Sequence, residues 1–117
     1  MQAINNVAVS ISAGQALSAK ADLGNYPLLS VEIPSTWTAA GLSFQRSWDG
    51  GLTWNEVLNA AGAPYAVASV SPQALGCSIA LDPALLGGWI KIRSGSLASP
   101  VNQANAVTLK VLARRPC

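Results

Sequence analysis

An all-β fold, an antiparallel β-sandwich of eight or nine short strands with jelly-roll character, is the expectation from three features of this 117-residue chain. Apolar and polar residues alternate with period two in short runs, Gly, Pro, Asn and Ser separate the runs, and helical spacing is scarce. Half-buried strands of this kind suit antiparallel sheets, because parallel strands covered on both faces read as unbroken hydrophobic runs. The length fits a single domain over residues 1–117, with a short N-terminal arm and a C-terminal tail.

Taken in order, Val7, Val9 and Ile11 alternate with Ala8, Ser10 and Ser12 in the first run, and residues 16–22 are the second candidate. Leu29, Val31 and Ile33 alternate with Ser30 and Glu32. Leu42 and Phe44 line one face of the next run, with Trp48 the candidate to continue it and Ser43, Gln45 and Ser47 opposite. Further strands are expected within residues 53–59, 65–71, 77–82, 89–94 and 105–113. In the last two, Ile90 and Ile92 alternate with Lys91 and Arg93, and Val107, Leu109 and Val111 with Thr108 and Lys110. One short helical turn is expected over residues 82–87, where Asp82 caps the start, Pro83 takes the first helical position and Gly87 ends it. Residues 35–40 read as a second turn after Pro34. Residues 60–64 and 95–103 read as loops, the latter almost without charge, and long loops on a rigid scaffold are where contacts are usually carried.

Charged residues make up 10% of the chain, against roughly 25% in typical soluble domains, so the surface is well suited to burial against partners. The net charge of +2 comes from scattered Lys and Arg, with only Arg114 and Arg115 adjacent, and does not indicate nucleic-acid binding. No apolar run reaches the length of a membrane span, and residues 1–6 lack the basic and apolar regions of a targeting segment. The expectation is a protein made in a cytoplasm, with no membrane partner. The chain has no His, which excludes serine-triad and His-ligated metal chemistry. Its two cysteines, Cys77 and Cys117, are too few for a structural zinc site. Two free thiols are the default, and an intramolecular or intersubunit disulfide is the alternative. No catalytic residue, metal ligand or cofactor is assigned.

The sharpest local pattern is Ser47-Trp48-Asp49-Gly50-Gly51-Leu52-Thr53-Trp54. An Asp at the entry of a tight turn accepts backbone N–H bonds, Gly50 and Gly51 permit positive φ, and the Ser47 and Thr53 hydroxyls tie the strand ends together. Trp54 is expected to pack over the hairpin. The pattern resembles the Asp box of sialidases and related β-propellers, where it lies away from the catalytic site, so the resemblance implies a structural turn. One box does not build a propeller, which needs several repeats. Asp49 and Glu56 flank the same hairpin as a glycosidase pair must, but neither lies in an acid/base motif, and Glu56 reads as a solvated outward residue. Asp22 and Glu32 stand alone in the sequence. Trp37, Trp54 and Trp89 read as core or seam positions, whereas Trp48, just ahead of Asp49, is expected to be exposed and a contact hot spot.

Over residues 28–113 the order of features resembles a family of small proteins encoded among the structural genes of tailed phages and prophages. The residues that carry it are Val31-Glu32-Ile33-Pro34-Ser35-Thr36-Trp37-Thr38-Ala39-Ala40, Leu42-Ser43-Phe44-Gln45 running into Ser47 to Trp54, and Ile79-Ala80-Leu81-Asp82-Pro83. Gly88-Trp89-Ile90-Lys91-Ile92-Arg93-Ser94-Gly95 and Pro100-Val101-Asn102-Gln103 complete it. Residues 1–23 and the terminal Cys117 have no counterpart in that pattern. The resemblance implies a non-enzymatic virion protein, foremost a head-decoration (cement) protein on the outer capsid surface, bound to the major capsid protein of the same phage. A homo-oligomer, trimer or dimer, follows from the general preference for closed symmetry. The expected contact residues are Gln2, Ile4 and Asn5 in the N-terminal arm, Trp48 at the hairpin tip, Ser96, Leu97 and Pro100 in the long loop, and Arg114, Arg115 and Cys117 in the tail. The alternatives are a collar, tail or fibre-base component, or a carbohydrate-binding module for host adsorption.

Overall fold

The computed structural model describes residues 4–22, 28–58, 61–70, 77–80 and 89–114. Among the described residues nine strands form: β1 (Ile4–Ile11), β2 (Ala21–Asp22), β3 (Leu28–Ile33), β4 (Ala40–Ser47), β5 (Asn55–Glu56), β6 (Ala66–Val70), β7 (Cys77–Ala80), β8 (Trp89–Ser94) and β9 (Val107–Arg114). Every pairing between them is antiparallel, and no helix occurs among the described residues. One sheet has the order β1-β9-β3-β7; the other has β2-β8-β4-β5, with β6 also paired to β4. The partners nest, β1 with β9, β2 with β8, β3 with β7 and β4 with β6. Successive pairs fall in alternate sheets, and β5 is a short insertion between β4 and β6.

Period-two alternation explains the core. Val9, Ile11, Val31, Ile33, Leu109 and Val111 from the first sheet join Leu42, Phe44, Ile90 and Ile92 from the second in one buried cluster with Trp37 and Val107. Burying each large aliphatic or aromatic side chain contributes roughly 1.5–3 kcal/mol. The register of β4 with β8 sets Phe44 opposite Ile92 and Leu42 opposite Ser94 on the core face. Ser43, Gln45 and Ser47 lie opposite Arg93, Lys91 and Trp89 on the outer face.

The strand expectations hold except at the shortest elements. Residues 16–22 yield only β2 and a bridge from Leu17 to Arg93. The ladder breaks there because the Ile92 amide donates to the Ser18 hydroxyl at 2.9 Å instead of to a backbone carbonyl. Of residues 53–59, the described 53–58 yield β5 and a bridge from Leu58 to Pro64, and residue 59 lies outside the described residues. The turn after Pro34 is present, closed by the Trp37 amide on the Pro34 carbonyl at 3.1 Å. The helical turn expected at 82–87 lies outside the described residues.

Candidate interaction surface

The Ser47–Trp54 corner joins β4 to β5 at one end of the second sheet. Asp49 is exposed, yet one of its carboxylate oxygens accepts three hydrogen bonds, from the Ser47 hydroxyl at 2.7 Å, the Thr53 amide at 2.8 Å and the Leu52 amide at 3.1 Å. The buried Ser47 hydroxyl in turn accepts from the Gly51 amide at 2.9 Å. These bonds, the Ser47 hydroxyl first and then the Thr53 amide and hydroxyl, hold the Asp49 carboxyl down at about 2. Gly50 and Gly51 take φ of 75° and 96°, as the turn requires. Trp54 closes the corner by donating its indole N–H to the Gly51 carbonyl at 3.0 Å. All six residues expected to build the turn are therefore brought together.

The rigid corner carries two solvent-facing apolar side chains, Trp48 at 69% exposure and Leu52 at 86%. Strand β4 ends at Ser47, so Trp48 leaves the apolar face of Leu42 and Phe44 and projects from the turn, its ring backed by the Arg46 guanidinium at 5.0 Å. Trp54 and Trp89 are half-buried, with the Lys91 ammonium 4.6 Å from the Trp54 ring centroid and the Lys20 ammonium 5.2 Å from that of Trp89. Trp37 is the core residue among the four, 2% exposed.

Glu56 corrects an expectation. It is not a solvated outward residue: it forms a two-pronged ion pair with Arg93, at 2.9 and 3.0 Å, with the side chains only 13% and 8% exposed. Arg93 also donates to the Ser43 hydroxyl at 3.0 Å. The outer face is covered here because β5 flanks β4 and Leu17 bridges to Arg93 on the far side of β8. Asp49 and Glu56 are thus both committed as acceptors within the fold. Among the described residues, no group of three or more His, Cys, Asp or Glu is placed to hold a metal ion.

The loop over residues 95–103 is only partly a free contact segment. Leu97 is 53% exposed and Pro100 is exposed, while Ser96 is half-buried and its hydroxyl accepts from the Ser99 amide at 3.0 Å. Gln103, the last residue of this expected contact segment, is completely buried. Its amide oxygen accepts from the Thr38 N–H at 2.7 Å, and its amide nitrogen donates to the Ser94 hydroxyl at 2.7 Å and the Thr38 carbonyl at 3.1 Å. Its backbone pairs with Gly14 and Gln15. No periodicity marks such a residue, because its partners lie in distant segments.

Of the arm and tail residues, Ile4 and Asn5 belong to β1 instead of a separate arm, and Arg114 sits opposite Ile4 at the end of β9. The paired strands carry the start and the end of the described chain to one corner. Gln2, Arg115 and Cys117 lie outside the described residues; Cys77 opens β7, opposite Ile33. Comparison with family models, curated proteins and solved structures finds no match to this chain.

Proposed function

We propose that this chain is a non-enzymatic structural protein of a tailed-phage virion, a head-decoration protein that binds the major capsid protein lattice from outside. The observation that carries the reading is the nested strand order. With β5 set aside, eight strands pair first with last and inward to β4 with β6, alternating between two sheets, an order that supports a jelly-roll reading. That architecture recurs in viral capsid proteins and also in lectins and cupins, so the sequence resemblance to phage structural proteins selects among them. A decoration protein needs a rigid body and exposed contact elements; the shared core supports the first, and the pairing of β1 with β9, which brings Ile4 and Arg114 to one corner, supports the second. Many such contacts over a lattice give high avidity from individually weak binding.

The test is co-sedimentation with undecorated capsids. The wild-type chain is expected to saturate them at a fixed stoichiometry. Arg114→Ala combined with Arg115→Ala should weaken binding by about tenfold if the tail pairs with acidic capsid residues. Unchanged binding in that variant removes the tail as the anchor, and no binding by the wild-type chain removes the decoration role.

A further inference from the structure

Natural sheets end in strands that discourage further pairing because they are short, charged, bulged or broken by proline. Most edges among the described residues follow that rule. Strands β2 and β5 have two residues each and β7 has four, and β6, on the same side of β4 as β5, shifts register against it. Strand β1 does not: it runs for eight residues at the end of the first sheet, in unbroken register with β9, with no charged residue, Pro or Gly in it.

One hydrogen bond fixes which of its backbone groups are open. The Ser10 carbonyl accepts from the Ala19 amide at 3.1 Å, so Ser10 directs its backbone away from β9. Along an antiparallel strand, residues that exchange both backbone bonds with the neighbour alternate with residues that turn both groups to the other side. Ile4, Asn6 and Ala8 therefore face outward as Ser10 does, while Asn5, Val7, Val9 and Ile11 bond β9. Ala19 covers the Ser10 end, which leaves an open stretch from Ile4 to Ala8 with Asn6 at its centre. Among the described residues no strand pairs with it.

Donors and acceptors at this alternating spacing are matched by another extended chain. We infer that the occupant is β1 of a second copy, paired antiparallel across a two-fold axis at Asn6. The open stretch is symmetric about Asn6 and so fits its own image, with Ile4 opposite Ala8 of the partner subunit. Each pair of facing residues exchanges two backbone bonds, about six in all, within the roughly 5–15 of a specific interface. A charged residue near the axis would meet its own like charge in such a pair, and β1 carries none. The same register sets the Val7 side chains of the two copies on a diagonal of the core face, within reach of each other. Val7 packs against the core yet stays half-buried at this edge, and the partner covers what remains. The two four-stranded sheets become one of eight strands, and the isologous contact closes at a dimer. This inference does not rest on the virion role.

Sedimentation velocity of the full chain under reducing conditions, from micromolar to millimolar, should show a reversible monomer–dimer equilibrium and nothing larger. Proline is tolerated at an edge position whose N–H points outward, so Ala8→Pro removes a donor to the partner and none to β9. It should weaken the dimer at least about tenfold and leave the thermal unfolding of the dilute chain unchanged. Asn6→Pro makes the same test at the axis should Ala8→Pro fail to fold. Amide exchange of the wild type reads the register without any substitution: the Asn6 and Ala8 amides should exchange at least about tenfold more slowly at millimolar than at micromolar protein, with a smaller change at Val7 and Val9. A wild type that stays monomeric or grows past a dimer, folded proline variants that dimerise as the wild type does, or exchange at Asn6 and Ala8 that ignores concentration overturns the proposal. Capsid co-sedimentation of Ala8→Pro is read separately, so the dimer and the decoration role can each fail alone.

Discussion

The Asp49 corner and the Gln103 crossing use the same device, a side chain that takes over backbone hydrogen bonds, at opposite ranges. Asp49 reaches residues two to four positions away and does so in solvent. Gln103 reaches Thr38, 65 positions away, and does so fully buried. Range decides what can be read from a sequence, and burial decides what the bonds are worth. A group stranded in water finds new partners, whereas one stranded in the core does not.

Breaking the buried member should have the largest effect. Gln103→Ala strands the Thr38 amide and carbonyl and the Ser94 hydroxyl, and is expected to cost about 4 kcal/mol in urea denaturation. A loss no greater than that of an ordinary surface substitution would dissolve the contrast. Glu56→Gln leaves the Arg93 guanidinium without its carboxylate at 8% exposure and should cost about 3 kcal/mol, with part restored when Arg93→Met is added. Gly95→Ala forces both a φ near 91° and the close approach to Ser99, for about 2 kcal/mol. The smallest global effect belongs to Asp49→Asn, whose signature is local: amide exchange at Leu52 and Thr53 should accelerate while core amides keep their protection.

Acid sharpens the same comparison. The Asp49 carboxyl titrates at about 2 when folded, below its ordinary value of 3.8, so its stabilising contribution is complete above about pH 4 and is lost as pH falls towards 2. The stability difference between wild type and Asp49→Asn should shrink over that interval. Gln103 carries no titratable group, so the cost of Gln103→Ala should not follow that course.

How much of this was legible follows from the same distinction. The runs around Val9, Val31, Phe44, Ile92 and Leu109 announce their strands because alternation is a local property. The Asp49 turn announces itself because every bond in it closes within eight residues. The shrinkage of residues 16–22 to β2 was not legible, since it depends on the Ser18 hydroxyl meeting the Ile92 amide across 74 positions. Arg93 alternates with Ile90 and Ile92, Glu56 reads as solvated, and only the pairing of β4 with both β8 and β5 brings them together. The order of strands within the sheets has the same origin.

The most direct test of the proposed decoration role is the copy number of this chain in phage particles induced and purified from a host that carries its gene, measured by quantitative mass spectrometry against the major capsid protein. The expected result is one copy per capsid subunit or a simple fraction of it. A handful of copies per particle would place the chain at a collar or tail instead, and its absence from the particle would contradict a virion role altogether.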